Sequence, residues 1–366
     1  MRVIIFSTVY FPLVGGAEVA MKEVTDRMQG MEFDLICAKV QSGLAAKEVM
    51  GNVTVHRVGF GHPIDKFLLP ILGPLKALRL CRGPRAAGGV QVIWSLMASY
   101  GGFAALSYAW LRPKTKLLLT LQEGDPLEHY AKRAGWLNFL HAKIFQRADA
   151  VHAISTFLAD WAAKQGFSGT PVVIPNGVDI ERFGRAANVA RRASLRSAFG
   201  FSDEDVVLVT ASRLSLKNGI DDLIRSLTFL PPNYKALIAG EGEDREKLQV
   251  LVEKKGLKDR VRLIGNRPHA ELPSILQSGD IFVRASLSEG LGNSFLEAMM
   301  AGVPIIGTPV GGIVDFLNDG ETGVCCQPRD PESIANAVLR VCGDAGFRER
   351  LIENGQHLVR ERYDWN

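Results

Sequence analysis

Short apolar runs alternate with stretches of helical spacing along almost the whole chain. Seven runs come first: Val3–Ser7, Phe33–Ala38, Val53–Val58, Val90–Ser95, Lys116–Leu121, Ala150–Ser155 and Val172–Pro175. After a polar gap come five more: Val206–Ser212, Tyr234–Gly240, Arg260–Gly265, Asp280–Ala285 and Val303–Thr308. Runs this short, bounded by Gly, Pro and polar residues, predict buried strands. The segments between them carry the other period. Ala17–Met28 places Val19, Ala20, Val24 and Met28 at helical spacing. Alternation of the two patterns predicts an α/β protein with parallel sheets covered by helices on both faces.

The two series are separated by Gly184–Asp205, where GRAANVARRASLRS is basic and poor in large apolar residues. That composition predicts a linker leading into a short helix. The expected domains are 1–186 and 187–345, with residues 346–366 as a tail able to pack back on the first. A length of 366 residues suits two cores better than one. Two tandem doubly wound domains would face each other across a cleft, with ligands outside the carboxyl ends of the strands.

Two stretches mimic targeting or membrane segments. Arg2 followed by VIIF is too short for a signal peptide and reads as a first strand. Val92–Leu111 has no charge over twenty positions, but Ser95, Ser99, Tyr100, Gly101, Gly102, Ser107 and Tyr108 interrupt it. Strand, turn and buried helix describe it better than a membrane span.

Hydrophobic content of 47% and charged content of 22% are those of a globular enzyme, and a net charge of +4 does not point to nucleic acid. The charge is uneven, however. Residues 60–150 hold twelve Lys and Arg against five Asp and Glu, a net +7 that leaves −3 elsewhere. A basic region suggests an anionic partner such as a membrane surface. Within it, residues 62–85 mix large apolar residues with Lys66, Lys76, Arg79, Arg82 and Arg85. Pro70 and Pro74 argue against one long amphipathic helix there, so loose electrostatic attraction is favoured over insertion. The five cysteines are odd in number and lack C-x-x-C, which indicates a reducing compartment without disulfides or a zinc site.

Three strand-to-helix turns carry candidate chemistry. Gly15 and Gly16 open the first predicted helix and could let backbone N–H groups approach an anion; a plain tight turn with Glu18 at the helix end explains them as well. In SRLSLKNGIDDLI, Arg213 and Lys217 flank a loop that closes at Gly219 before a helix. A guanidinium fork and an ammonium at a helix start can clamp phosphate, or can be solvated loop charges. In SEGLGNSFLEAMMAG, Asn293 or Ser294 can cap the helix, and Ser294 to Glu297 has capping-box spacing. Capping does not explain Glu289 or the glycines on either side of Leu291. A carboxylate aimed at sugar hydroxyls, with free amides facing a diphosphate, explains both.

The spacing from Glu289 to Glu297, followed by AMMAGVPIIGTPVGG, resembles the E-x7-E signature of retaining glycosyltransferases of family 4, also called group 1. GGAE, VIPNGVDIERF (173–183), SRLSLKNGIDDLI, AGEGEDREKL (239–248) and DGETGV (319–324) occur in the expected order, so the resemblance covers nearly the whole chain. It implies two Rossmann-like domains (the GT-B arrangement). It also implies sugar transfer from a nucleoside diphosphate sugar to a glycan or lipid-linked acceptor, with retention, no metal and no further cofactor. In this reading Arg213 and Lys217 neutralise the departing diphosphate. Glu289 and the amides of Gly290, Leu291, Gly292 and Asn293 hold the donor sugar. Glu297 accepts from the ribose hydroxyls, backbone around Gly265–Arg267 meets the base, and Gly15 and Gly16 close over the phosphates.

There are departures. Where many members have a histidine near the reacting sugar, this chain has Gln122, with Glu123 and Asp125 beside it as substitutes or as caps of the next helix. Arg284 stands where an apolar residue is usual. The final ERYDWN resembles the start of a last helix that crosses back to the first domain, so the crossing is abbreviated or the sequence truncated. The only D-x-D triplet, Asp203–Asp205, precedes a strand and reads as a solvated cap. The expected protein is therefore a cytoplasmic hexosyltransferase of cell-surface polysaccharide or glycolipid synthesis, peripheral to the inner face of the membrane. An epimerase of the same fold would need acid–base residues that have no evident place. A nicotinamide-dependent oxidoreductase would want G-x-G-x-x-G after a strand, which neither half supplies. A non-catalytic sugar-nucleotide-binding relative is the third alternative.

Overall fold

A computed structural model describes residues 1–13, 15–81, 90, 92–125, 138–185 and 188–366. It divides into two compact units, Met1–Pro175 and Asn176–Asn366. The division falls ahead of the boundary expected from sequence, and residues 186 and 187 on either side of that boundary lie outside the described residues.

The first unit holds β1 (Arg2–Phe6), β2 (Glu32–Ala38), β3 (Lys47–Met50), β4 (Val53–Val58), β5 (Val92–Leu96), β6 (Lys116–Leu121), β7 (Ala150–Ala153) and β8 (Val172–Val173). They form one sheet in the order β3-β4-β2-β1-β5-β6-β7-β8. All neighbours are parallel except β3 and β4. The central strands are apolar on both faces because helices cover both. Ile4, Leu35, Val55, Ile93 and Leu119 are fully buried, and each such side chain contributes roughly 1.5–3 kcal/mol on leaving water.

β3 was not expected from the sequence. It is an edge hairpin strand with exposed Lys47 and Val49, and Glu48 pairs with Arg57 of β4 at 2.7 Å. No apolar run announces such a strand, although the Gly51–Asn52 turn that joins it to β4 is a hairpin signal.

The helix Asp65–Leu80 corrects the expectation drawn from Pro70 and Pro74, since both lie inside one continuous helix. A proline forfeits one helical hydrogen bond. Packing on β2 and on the helix Tyr100–Leu111 offsets that loss. The helices approach so closely that a Cβ on Gly73 would sit 3.3 Å from that of Ala104. Ahead of the helix, the Asp65 carboxylate accepts the N–H groups of Phe60, Gly61 and His62 at 2.6, 2.7 and 3.1 Å.

The second unit holds β9 (Val206–Ala211), β10 (Tyr234–Ala239), β11 (Val261–Gly265), β12 (Ile281–Arg284), β13 (Ile305–Gly307) and β14 (Val324–Cys325). They pair in parallel in the order β11-β10-β9-β12-β13-β14. This is the doubly wound order, whose switch point lies between β9 and β12. In the first unit the equivalent reversal lies between β1 and β5.

The tail packs within the second unit. The helix Ala345–Arg362 lies against the helices Asn293–Met300 and Pro331–Gly343. Glu361 and Arg362 close that helix rather than start another. Beyond it Asp364 bridges to Val178, and Val178 N–H donates to Tyr363 O at 2.6 Å. The tail thus meets residues that the sequence reading placed in the first domain, but those residues belong to the second unit.

Candidate functional site

At the switch point of the second unit, the loop after β9 carries Arg213 and Lys217. Gly219 closes it with φ +63°, and a Cβ there would lie 1.9 Å from Ala285 O. Only glycine permits that approach. Leu287 N–H donates to Lys217 O at 2.6 Å, which stitches the loop to the segment leaving β12. Asn218 is buried, and its Nδ2 donates to Arg213 O at 2.6 Å. The two cation-bearing positions are therefore fixed on one backbone arch beside β12.

Glu289 follows β12 and is tied to this arch through Arg284, which pairs with Glu289 and donates to Asn218 Oδ1. Gly311 approaches its carbonyl so closely that a Cβ would sit 2.1 Å away, and Gly312 N–H donates to that carbonyl at 3.0 Å. The segment Gly290–Leu291–Gly292 then enters the helix Asn293–Met300. The helix cap is Gly292, at φ 95° and ψ 58°, and no side chain caps it. The capping-box reading of Ser294 and Glu297 is thus corrected. Ser294 Oγ accepts from Arg284 at 2.9 Å, and Glu297 Oε1 meets His269 Nε2 at 2.8 Å. Phe295 N–H turns back to Gly292 O at 2.9 Å; the N–H groups ahead of it meet no capping side chain, and the helix dipole there favours negative charge. Asn176 Nδ2 donates to Asn293 Oδ1 at 3.4 Å, tying the start of the unit to the same helix end.

Gly265 ends β11 at φ +74°, and its carbonyl accepts from Gly240 N–H at 2.8 Å. Arg267 Nε donates to Ile264 O at 3.1 Å. It is His269, a little further on, that reaches Glu297, while its Nδ1 lies 3.1 Å from Arg182 Nη1.

In the first unit, Gly15 caps the helix Gly16–Arg27, and its N–H donates to Glu18 Oε2 at 2.7 Å. The architectural reading accounts for Gly15; Gly16 has open space where a Cβ would be. Gln122 and Asp125 are half-buried just past β6. Glu123 is only 1% exposed. Its carboxylate accepts Ala98 N–H at 2.6 Å and Gln122 N–H at 2.8 Å, so it staples the turn after β5 to the end of β6. Burial pushes this carboxyl up to about 7, against the pull of those backbone donors. His141 Nε2 lies 2.9 Å from Ala98 O on the same turn, and burial lowers its affinity for a proton. The helix that Glu123 or Asp125 was expected to cap lies outside the described residues.

Sequence reasoning missed Asn218, His269 and Asn176, read Ser294 only as a cap, and had no role for Arg284. Only Arg284 gave a signal, as a charge inside an apolar strand. A separate cavity of about 600 Å³ lies at the amino ends of β1, β2 and β4, lined by Arg2, Asp34 and His56. It is on the wrong edge of the sheet for the chemistry above, and Asp34 already pairs with Arg2 and with His56, at 2.6 and 2.7 Å. Among the described residues no group of three or more His, Cys, Asp or Glu could hold a metal ion.

Residues 14–182 match the family described as Glycosyltransferase Family 4, and residues 191–358 match Glycosyl transferases group 1. An uncharacterised glycosyltransferase of Methanocaldococcus jannaschii is 32% identical over 196 residues, 53% of this chain and 50% of that one. The GDP-mannose-dependent alpha-(1-6)-phosphatidylinositol monomannoside mannosyltransferase of Mycolicibacterium smegmatis is 32% identical over 234 residues, 61% of this chain and 60% of that one. The chain thus spans about half to three-fifths of the length of these relatives. The crystal structure of Anabaena HepE with UDP and glucose shares the fold, with a TM-score of 0.80 at 20% identity over 100% of this chain and 96% of that one.

Proposed function

We propose, from the premise that the chain belongs to the group 1, family 4 glycosyltransferases, that it moves a hexose-type sugar from a nucleoside diphosphate sugar to a glycan or lipid-linked acceptor. Transfer proceeds with retention and without a metal or other cofactor. The observation that carries this reading is the arch at the β9–β12 switch point. It carries Arg213 and Lys217 and is tied through Arg284 to Glu289, which precedes a helix start capped by glycine.

The chemistry follows from the charges. Breaking the bond between sugar and diphosphate leaves negative charge on the departing phosphate. Fixed cations and helix N–H groups stabilise that charge most in the transition state. Glu289, with Gly290 to Asn293, orients the sugar; an ionised carboxylate is acceptor-only and suits hydroxyl groups. Glu297, aligned by His269, takes the ribose hydroxyls, and Gly265–Arg267 faces the base. Gly15 and Gly16 serve the donor phosphates, and Gln122, Glu123 and Asp125 serve the acceptor. A GDP-sugar donor with a lipid acceptor is printed in the name of the mycobacterial relative, and UDP with glucose in that of the Anabaena structure.

A peripheral place on the cytoplasmic face of an anionic membrane, in cell-surface polysaccharide or glycolipid synthesis, completes the reading. No helix among the described residues is long and apolar enough to cross a membrane. The helix Asp65–Leu80 nevertheless exposes Phe67, Ile71 and Leu75 beside basic residues.

The test is a melting-temperature screen without metal against UDP, GDP, ADP, their common sugar conjugates and NAD. A ligand selective for the folded state raises the midpoint, by about 2.7 kcal/mol of stability at a hundredfold excess over Kd. One nucleoside diphosphate should shift the parent chain, and Lys217→Ala should lose the shift. A response to NAD alone, or to nothing, overturns the proposal.

A further inference from the structure

We propose that Arg284 is a positioning residue: its guanidinium sets Glu289 in register with the Arg213–Lys217 arch and so aligns the sugar-binding half of the site with its diphosphate-binding half. This rests on the donor-site reading above.

Arg284 is the last residue of β12, a central strand, and is only 7% exposed. A cation in such a place costs stability unless its donors are met. Its partners come from three separate segments of the site. Nη2 pairs with the Glu289 carboxylate and also donates to Asn218 Oδ1 at 2.8 Å, and Nη1 donates to Ser294 Oγ at 2.9 Å. The plane rests near the Phe295 ring, 5.8 Å from its centroid. Asn218 in turn holds Arg213 O at 2.6 Å. One rigid fork therefore fixes the carboxylate, the cation-bearing arch and the first turn of the helix Asn293–Met300 relative to one another.

One further point separates this from a core ion pair kept for stability. The pairing removes an electrostatic conflict. A lone Glu289 carboxylate would repel the diphosphate that the same site must hold. With Arg284 against it, the carboxylate keeps acceptor capacity for sugar hydroxyls, and the pair is close to neutral overall.

The experiment compares the parent chain with Arg284→Lys, Glu289→Gln and the double variant. Each is given the nucleoside diphosphate that shifts the parent and then the matching nucleotide sugar. Arg284→Lys keeps the charge but loses the fork. It should keep the melting shift produced by the diphosphate alone and lose the extra shift contributed by the sugar. Its kcat should fall roughly 10- to 100-fold with a smaller change in KM, as expected for a group misplaced by about 1 Å. Because Arg284 acts through Glu289, the double variant should be no slower than Glu289→Gln to within about threefold. Independent losses that multiply in the double variant, or a folded Arg284→Lys with the parent rate, overturn the proposal. If Arg284→Lys does not fold, Asn218→Ala and Ser294→Ala each remove one partner and leave the guanidinium in place. Both should lower kcat and weaken the sugar's extra shift, and parent behaviour in both sinks the idea. A parent chain silent to every nucleotide rejects the donor-site reading itself. A responsive parent with an unaffected Arg284→Lys rejects only the role of Arg284.

Discussion

Three carboxylates in this chain sit in different surroundings and face different chemical demands. Glu289 is matched by a guanidinium and Glu297 by an imidazole. Glu123 is closed in with backbone donors alone, and burial holds its carboxyl at about 7, above the usual 4.5. The folded state therefore keeps a proton that the unfolded state has lost between about pH 4.5 and 7. Stability contributed at this site is full below that window and falls as pH rises through it. The loss is on the order of 3 kcal/mol and levels off above pH 7. Glu123→Gln cannot titrate and puts an amide NH2 against one of two N–H donors. Urea midpoints at pH 5 and pH 8 should show the parent losing more stability over that interval than the variant. Equal pH dependence in both would mean that Glu123 titrates alike in the folded and unfolded chain. The same burial bears on its candidacy as a stand-in for the histidine: Glu123 grips the turn after β5, and Gln122 and Asp125 are the more exposed of the three.

Among the elements, the arch after β9 depends on one glycine. Gly219→Ala would place a methyl 1.9 Å from Ala285 O at φ +63°. Neither the contact nor the conformation suits alanine, and the cost should be at least about 2 kcal/mol. Displacement of Lys217 should follow, so the variant should melt lower and respond less to nucleoside diphosphate. A variant that melts with the parent would show that the arch yields easily. The sequence announced this turn through Lys217 and Gly219, and it announced twelve of the fourteen strands, most of them because buried parallel strands are apolar on both faces. It did not announce β3 or β14. One is a charged edge strand and the other a short strand, and neither has an apolar run of its own. The capping-box pattern at Ser294 misled because spacing cannot show that Arg284 reaches Ser294 from the neighbouring strand. The prolines at 70 and 74 misled because local cost was weighed without the tertiary packing that offsets it. The cations and carboxylates of the candidate site were legible as residue types. The side chains that align them, Asn218, His269 and Arg284, act across distances in sequence that no local pattern records.

Across the whole molecule, charge is segregated: residues 60–150 carry a net +7 and the remainder −3. The basic stretch lies in the first unit, where the helix Asp65–Leu80 has two dissimilar faces. Leu69, Gly73, Pro74 and Ala77 are buried, whereas Ile64, Phe67, Ile71 and Leu75 are exposed at helical spacing, Ile71 by 64%. Lys66 lies 5.1 Å from the Phe67 ring centroid, and Lys76 and Arg79 follow on the same helix. The helix's one acidic side chain, Asp65, is turned inward onto backbone N–H groups. The proposed membrane contact rests on this apolar stripe edged by cations, with no exposed carboxylate on the helix. Attraction contributes about 1 kcal/mol per basic residue near such a surface and weakens with salt, while buried apolar area is insensitive to salt. The chain should therefore sediment with vesicles containing anionic lipid and much less with neutral ones, and part of the binding should survive high salt. Ile71→Glu and Leu75→Glu change exposed positions and should leave the melting temperature nearly unchanged. Each should weaken vesicle binding at least tenfold, because each removes apolar contact and adds a repelled charge. Equal binding to neutral and anionic vesicles, or indifference to both substitutions, would overturn the proposed membrane contact.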